Sequence, residues 1–396
     1  MKNKNLSWVG ALFVFALLLW CTAVTPGKVA DPATYTCAVY STIFSLLPPV
    51  IAIVLALNTK EVYTSLLVGI ASGALLYANG NLELALNTLF FNEDGGMITK
   101  LSDSGNVGIL AFLVMLGILV ALMNKAGGSA AFGRWASTHI HSRAGAQFAT
   151  LLLGVMIFVD DYFNCLTVGS VMTPVTDSQR ISRVKLAYLI DATAAPICMI
   201  APISSWAAAV SGVAAKLDTG VSGIQLFIEA IPYNFYSLLT IVFVITMVVL
   251  GVDYGPMAAA ELKAAQTGDL GSLSEEQEEG SSRANMWDML IPIFLLIIFC
   301  VIGLIYVGGF WDPETNAGDF IAAFGDTDAF VGLPWGALIA LVLSIIYLCA
   351  RRVITFKGAM GCMTKGFNAM VPAILILTFA VSLKQSPIHI SEPTRR

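Results

Sequence analysis

Residues 158–206 read FVDDYFNCLTVGSVMTPVTDSQRISRVKLAYLIDATAAPICMIAPISSW. The stretch sets two adjacent carboxylates, Asp160 and Asp161, and a third, Asp191, within segments apolar enough to lie in a membrane. A carboxylate at bilayer depth costs roughly 2.5–3.5 kcal/mol on insertion scales, so it marks an ion or proton pathway. Asn164, Thr167, Thr193, Ser204 and Ser205 surround the acids with the oxygen donors that hard cations prefer. Gly169, Pro174, Pro196 and Pro202 interrupt the helices nearby. Intramembrane acids beside broken helices are the general pattern of a secondary transporter.

The rest of the chain has the matching composition. Of 396 residues, 57% are hydrophobic and 12% charged, and the mean hydropathy is +0.80. A soluble domain carries about 25% charged residues, so this is a polytopic membrane protein in contact with the lipid bilayer. No basic stripe with interleaved aromatics supports nucleic-acid binding. Cys21, Cys37, Cys165, Cys198, Cys300, Cys349 and Cys362 form no CxxC pair. They read as small buried hydrophobes and not as a disulfide or zinc framework. His139 and His141 lie in a basic loop, where a solvated surface explains them better than a pH sensor.

Apolar runs long enough to span begin near residues 7, 40, 61, 107, 226, 288, 333 and 366. Residues 1–27 read as an N-terminal transmembrane helix or signal anchor, with Cys21, Thr22 and Ala23 offering a cleavage alternative. Lys125, Arg134 and Arg143 precede the 146–176 region, and Arg180, Arg183 and Lys185 come after it. Positive charge on both flanks marks the cytoplasmic side, so 146–176 is expected to be a re-entrant hairpin. Its tip is expected near Asp160–Asn164 or a little beyond, with a broken helix next over 186–215. Loops 80–106 and 308–332 fall outside. Residues 226–251 read as a linking transmembrane helix, and 252–287 as a hydrophilic cytoplasmic linker between two halves. Gly127–Gly145 and Thr355–Lys365 could lie at the membrane surface.

The helices within 40–215 and those within 288–383 run with opposite senses, so the expected fold is all-α. It is a polytopic helical bundle with inverted-topology repeats, a re-entrant hairpin and broken helices. The second repeat is expected to be incomplete, because the polar tail 384–396 continues no pattern.

DDYFN (160–164), VGSVMTPVTD (168–177), SRVKLAYLIDATAAP (182–196) and PISSW (202–206) resemble the NhaC-type sodium/proton antiporter family. LLPPVIAIVLALNTKEV (46–62), GNVGILAFLV (105–114) and IPYNFY (231–236) resemble it as well. The resemblance implies inverted repeats, each with a hairpin, and an elevator-like transport movement. It also implies a second hairpin with a Thr-Gly-Thr-Ser-Trp-Gly-like motif, absent here, and so a C-terminally truncated member with a foreign tail.

On a helix, Asp160 and Asp161 point about 100° apart and cannot both face one small ion. Asp160, Asn164 and Thr167 share one stripe; Asp161 shares another with Cys165 and Val168. Sodium is therefore expected at Asp160, Asn164 and Asp191, with Asp161 a second ligand or a support. The competing reading is a pair of acids at a wet hairpin end, neutralised by basic loops. Asp191 could instead cap a helix end near Lys185, and Ser204 and Ser205 could satisfy backbone freed by Pro202. Asp177, beside Arg180 and Arg183, reads as a surface charge.

A carboxylate held out of water keeps its proton more tightly, so near neutral pH it can hold either a proton or a sodium ion. The expected function is sodium/proton exchange across the bacterial inner membrane, with transported sodium and protons as its only small partners and no cofactor. A sodium- or proton-coupled carboxylate or amino-acid carrier is the alternative; no arginine at depth awaits an anionic substrate. An intramembrane aspartyl protease would need single acids on two helices in Gly-x-Gly-Asp, and no such motif occurs. A passive channel would show no dependence on an opposing proton gradient. Association as a homodimer is left open.

Overall fold

A computed structural model describes residues 39, 42–92, 96–207, 210, 223–271 and 283–391. Expectations for 1–27 lie outside the described residues. Within them every regular element is a helix, and five helices are long and apolar enough to cross a membrane.

The chain divides into two units, Met1–Val107 with Val371–Arg396, and Gly108–Met370. In the first, α1 (Leu47–Thr59) and α2 (Val62–Tyr77) pair through Ile51, Leu55, Leu47 and Val68. They fill the runs expected near 40 and 61, yet are only 13 and 16 residues long. Lys60 stops α1 in the left-handed conformation (φ 58°), and Glu61 starts α2 by accepting the Thr64 N–H at 2.9 Å. Loop 80–106 holds two helices, α3 (Leu82–Phe90) and α4 (Met97–Ser102). Ala85 of α3 packs on Ala74 and Ala78.

The second unit carries the quoted stretch. α5 (Ser104–Ala126) leads through Gly127 into α6 (Gly128–His139). Next come α7 (Arg143–Met156), a break at 157–160, α8 (Asp161–Ser178), a turn, and α9 (Arg183–Cys198). α7, α8 and α9 pack on one another, and α6 packs on α8. The hairpin region thus comprises two helices, with its break at 157–160. The expected broken helix is helical from Arg183 to Cys198, irregular from 199, and helical again from Ser205; 208–209 and 211–222 lie outside the described residues. Pro196 sits inside the last turn of α9 and the chain unwinds only beyond it.

The linking helix is two helices, α10 (Gly223–Ala230) and α11 (Phe235–Leu250). A short 3₁₀ turn, Ile231–Tyr233, separates them at Pro232. Gly251, at φ 64°, ends α11. Helix α12 (Gly255–Thr267) lies within 252–287, the segment read as a linker. It packs on α9 and buries Met257, Glu261 and Ala264 along one stripe. Counting charges missed this, because the acids are satisfied by basic residues distant in sequence. Residues 272–282 lie outside the described residues.

α13 (Trp287–Val307), the short α14 (Phe320–Gly325) and α15 (Ala329–Ala350) come next. α13 and α15 touch through glycine: a β-carbon on Gly303 would strike the Gly332 carbonyl, and one on Gly336 the Phe299 carbonyl. At one end of the pair, Asp288 is wholly buried and saturated. It accepts from Asn285 N–H at 2.8 Å, Tyr347 hydroxyl at 3.2 Å, and Arg351 Nε and Nη2 at 3.2 and 3.1 Å.

α16 runs from Phe356 to Ser391 without interruption. Thr355–Lys365 is therefore mostly the start of one long helix and not a separate surface segment. The helix also passes through residue 384, where the polar tail led us to expect a boundary. Helical backbone needs no apolar sequence, so the shift to polar residues did not mark its end.

Candidate functional site

The site is built where two helix breaks meet. At the first, Asp160 adopts extended backbone (φ −155°, ψ 141°) and caps α8, its Oδ1 accepting the Phe163 N–H at 2.9 Å. The acid therefore stands off the end of the helix and not on the stripe with Asn164 and Thr167 that a continuous helix would give. Asn164, in the first turn of α8, reaches back across the break. Its Nδ2 donates to the carbonyls of Gly154 at 2.7 Å and Ile157 at 2.8 Å. One amide thus satisfies two carbonyls at the end of α7.

The second break, after Cys198, folds onto the first. The Ser205 N–H donates to the Val159 carbonyl at 2.9 Å. The Ser205 side chain also lies near the Asp160 carboxyl, and Trp206 near that of Asp161. Ser204 is turned inward on its own segment. Its hydroxyl lies 2.7 Å from the Cys198 carbonyl and 2.8 Å from that of Ala201, and it accepts the Ala207 N–H at 3.2 Å. Of the two readings for this serine, satisfying freed backbone is the one its bonds fit.

Asp160, Asn164, Thr167, Thr193 and Ser204 are buried, whereas Asp161 and Ser205 are half-buried. Thr193 back-bonds to the carbonyls of Leu189 and Ile190 at 2.7 and 3.2 Å. It also lies against Gly154, where a β-carbon would come within 3.0 Å of its Oγ1 and 3.8 Å of Asn164 Oδ1. Two oxygens here have no hydrogen-bond partner among the described residues: Asn164 Oδ1 and Thr167 Oγ1, on residues 0% and 1% exposed.

Residues 197–385 match the model of the Na+/H+ antiporter family. An uncharacterized protein of Haemophilus influenzae is 31% identical over 355 residues, covering 87% of this chain and 67% of the relative. The family match thus covers just under half of the chain and leaves out residues 158–196. No solved structure matches the chain. The match and the five apolar helices mark a multi-pass membrane protein.

Asp191, expected with Asp160 and Asn164 around one ion, is less enclosed than they are. It is exposed on α9, on a different side from its buried neighbours Ala192 and Thr193. Its nearby carboxylates are felt at Cys165, which lies within electrostatic reach of Asp161, Asp191 and Asp160. The helix-end cap considered for Asp191 does not fit either, since the residue sits inside α9. Asp177 pairs with Arg183 Nη2 at 3.0 Å, both side chains about a quarter exposed (27% each).

Sequence reasoning missed Gly154. It carries no chemistry of its own, and only the closeness of α7 to α9 shows that its missing side chain admits Thr193. Among the described residues no three His, Cys, Asp or Glu come together as a metal-holding cluster.

Proposed function

We propose that the chain exchanges sodium ions for protons at the crossing of its two helix breaks, with Asp160 as the carboxylate that holds one or the other. Asn164, Thr167 and Thr193 supply neutral oxygen ligands, and Asp161 and Ser205 support Asp160. Exposed Asp191 stands outside the coordination set. The observation that carries this reading is the pair of buried oxygens without donors, Asn164 Oδ1 and Thr167 Oγ1, in the first two turns of the helix that buried Asp160 caps. An unsatisfied buried polar group costs roughly 1–3 kcal/mol. A dehydrated cation that takes oxygen ligands offsets that cost.

The mechanism is competition for one charge. With a proton or with sodium, Asp160 is neutralised; empty, it is a bare carboxylate in a water-poor setting, and that state is costly. Movement of the site between the two sides is therefore favoured only when it is loaded, which couples the two fluxes without ATP. Because Asp161 is adjacent, protons leave the pair in joint steps. Within the family, the motifs around 160–206 favour the NhaC-type branch, whose setting is the bacterial inner membrane.

The test is proton movement in proteoliposomes under an imposed sodium gradient. Wild-type protein should move protons against sodium flow, and Asp160→Asn should not. Unchanged exchange in the variant would remove Asp160 from the mechanism, and sodium-independent proton movement in the wild type would overturn antiport.

A further inference from the structure

The segment read as a linker is tied to the base of the helices that build the site. Glu261, 4% exposed on α12, accepts the Ser182 N–H through Oε1 at 2.5 Å, and pairs through Oε2 with Arg143 Nη2. Arg143 is the first residue of α7, and Ser182 is the N-cap of α9. One carboxylate thus bridges the starts of two helices. Asp253 holds buried Lys185 at 2.5 Å. The Leu270 carbonyl accepts the Arg183 N–H at 3.0 Å, and the Gly271 carbonyl accepts Arg183 Nη1 at 2.7 Å. Tyr254 wedges its ring edge-on against Tyr188 of α9 and Phe243 of α11, with centroids 5.9 and 5.7 Å away.

These contacts run from Asp253 to Gly271 as a continuous strap. Its polar bonds go to the basic and backbone groups flanking the turn between α8 and α9. The far ends of α7 and α9 carry Gly154 and Thr193, which touch at the site. Helices of 14 and 16 residues transmit a shift at one end to the other. We infer that Glu261 is a positioning residue: by joining Arg143 to Ser182 it fixes α7 against α9, and so sets the approach of Gly154 and Asn164 to Thr193. Residues 253–271 then belong to the same rigid body as the hairpin, whatever that body does during transport.

The test has two arms, and only the second rests on the exchange reading. Hydrogen–deuterium exchange of peptides covering 179–186 and 255–267 is compared between wild type, Glu261→Gln and Glu261→Ala. Glu261→Gln keeps an acceptor for Ser182 N–H and loses the ion pair, so it should loosen both peptides less than Glu261→Ala does. Unchanged protection in Glu261→Ala would overturn the strap. In proteoliposomes, Glu261→Ala should raise the sodium KM about fivefold or more while kcat stays within about twofold, as lost site geometry without lost chemistry predicts. Glu261→Gln should recover most of that loss, and it also serves if Glu261→Ala does not fold. Loosened peptides with an unchanged KM would show a strap that holds the fold but positions nothing. Were the wild type to move no sodium, the exchange reading would fail and the first arm would still decide the strap.

Discussion

Asn164 donates its side-chain amide to the Gly154 carbonyl, 2.7 Å away across the break between α7 and α8. The same amide holds the Ile157 carbonyl at 2.8 Å. A polar side chain inside a helix thus closes the end of the preceding helix. Its remaining oxygen has no partner among the described residues.

Asn164→Ala should lower stability by about 2–4 kcal/mol, since two buried carbonyls lose their donor. Thermal unfolding in detergent, with and without sodium, reads both consequences. We expect a lower midpoint and a smaller sodium-induced rise. A variant stabilised by sodium as strongly as wild type would show that Oδ1 does not meet the ion.

Asp160→Asn should retain the fold while losing proton-coupled transport. Asparagine caps a helix about as well as aspartate, so the unfolding midpoint should barely move. Asp177→Asn is the paired control. It breaks only a partly exposed ion pair, worth about 0–1 kcal/mol, and should leave exchange close to wild type.

Asp288→Ala should cost about 1–3 kcal/mol, because the Asn285 N–H and Tyr347 hydroxyl lose a buried acceptor while Arg351, 40% exposed, turns to water. Urea or thermal unfolding checks this. A cost below about 1 kcal/mol would mean that water replaces the carboxylate and that the cluster does not hold the two helices together.

Acid should loosen the end of the strap only at low pH. Asp269 has its carboxyl held below the ordinary 3.8, first by its hydrogen bond from Lys263, then by the Gly271 N–H. A depressed folded pKa gives stability that is present above the unfolded value and lost as pH falls through the folded one. Exchange at 268–271, corrected for intrinsic rates, should be flat from pH 7 to about 4 and rise below it. A rise near pH 6 would point to a different group.

The chemistry of the site was more legible than its geometry. Acids and oxygen donors stand out from an apolar background, so Asp160, Asn164 and Thr167 could be named as candidates from residue type alone. The position of the break could not, because Asp160 leaves the helical stripe only when it turns to cap α8. Asp191 shows the same limit: a carboxylate in an apolar segment announces itself, but the side of α9 it occupies depends on what packs there. The strap was hidden for another reason. Glu261 and Asp253 look like solvated charges until Arg143 and Lys185, more than sixty residues away in sequence, are brought beside them. Hydrophilic composition describes a flexible linker and a docked helix equally well.

The seam between α13 and α15 has a genetic consequence. Any missense change at a glycine adds a β-carbon, and at Gly303 and Gly336 that atom would collide with the backbone of the opposite helix. Neither position has a mild allele: alanine, serine and valine differ only in how much they add to the same clash. In a random mutagenesis screen these two codons should behave as nearly blank columns among survivors, although neither belongs to the candidate site.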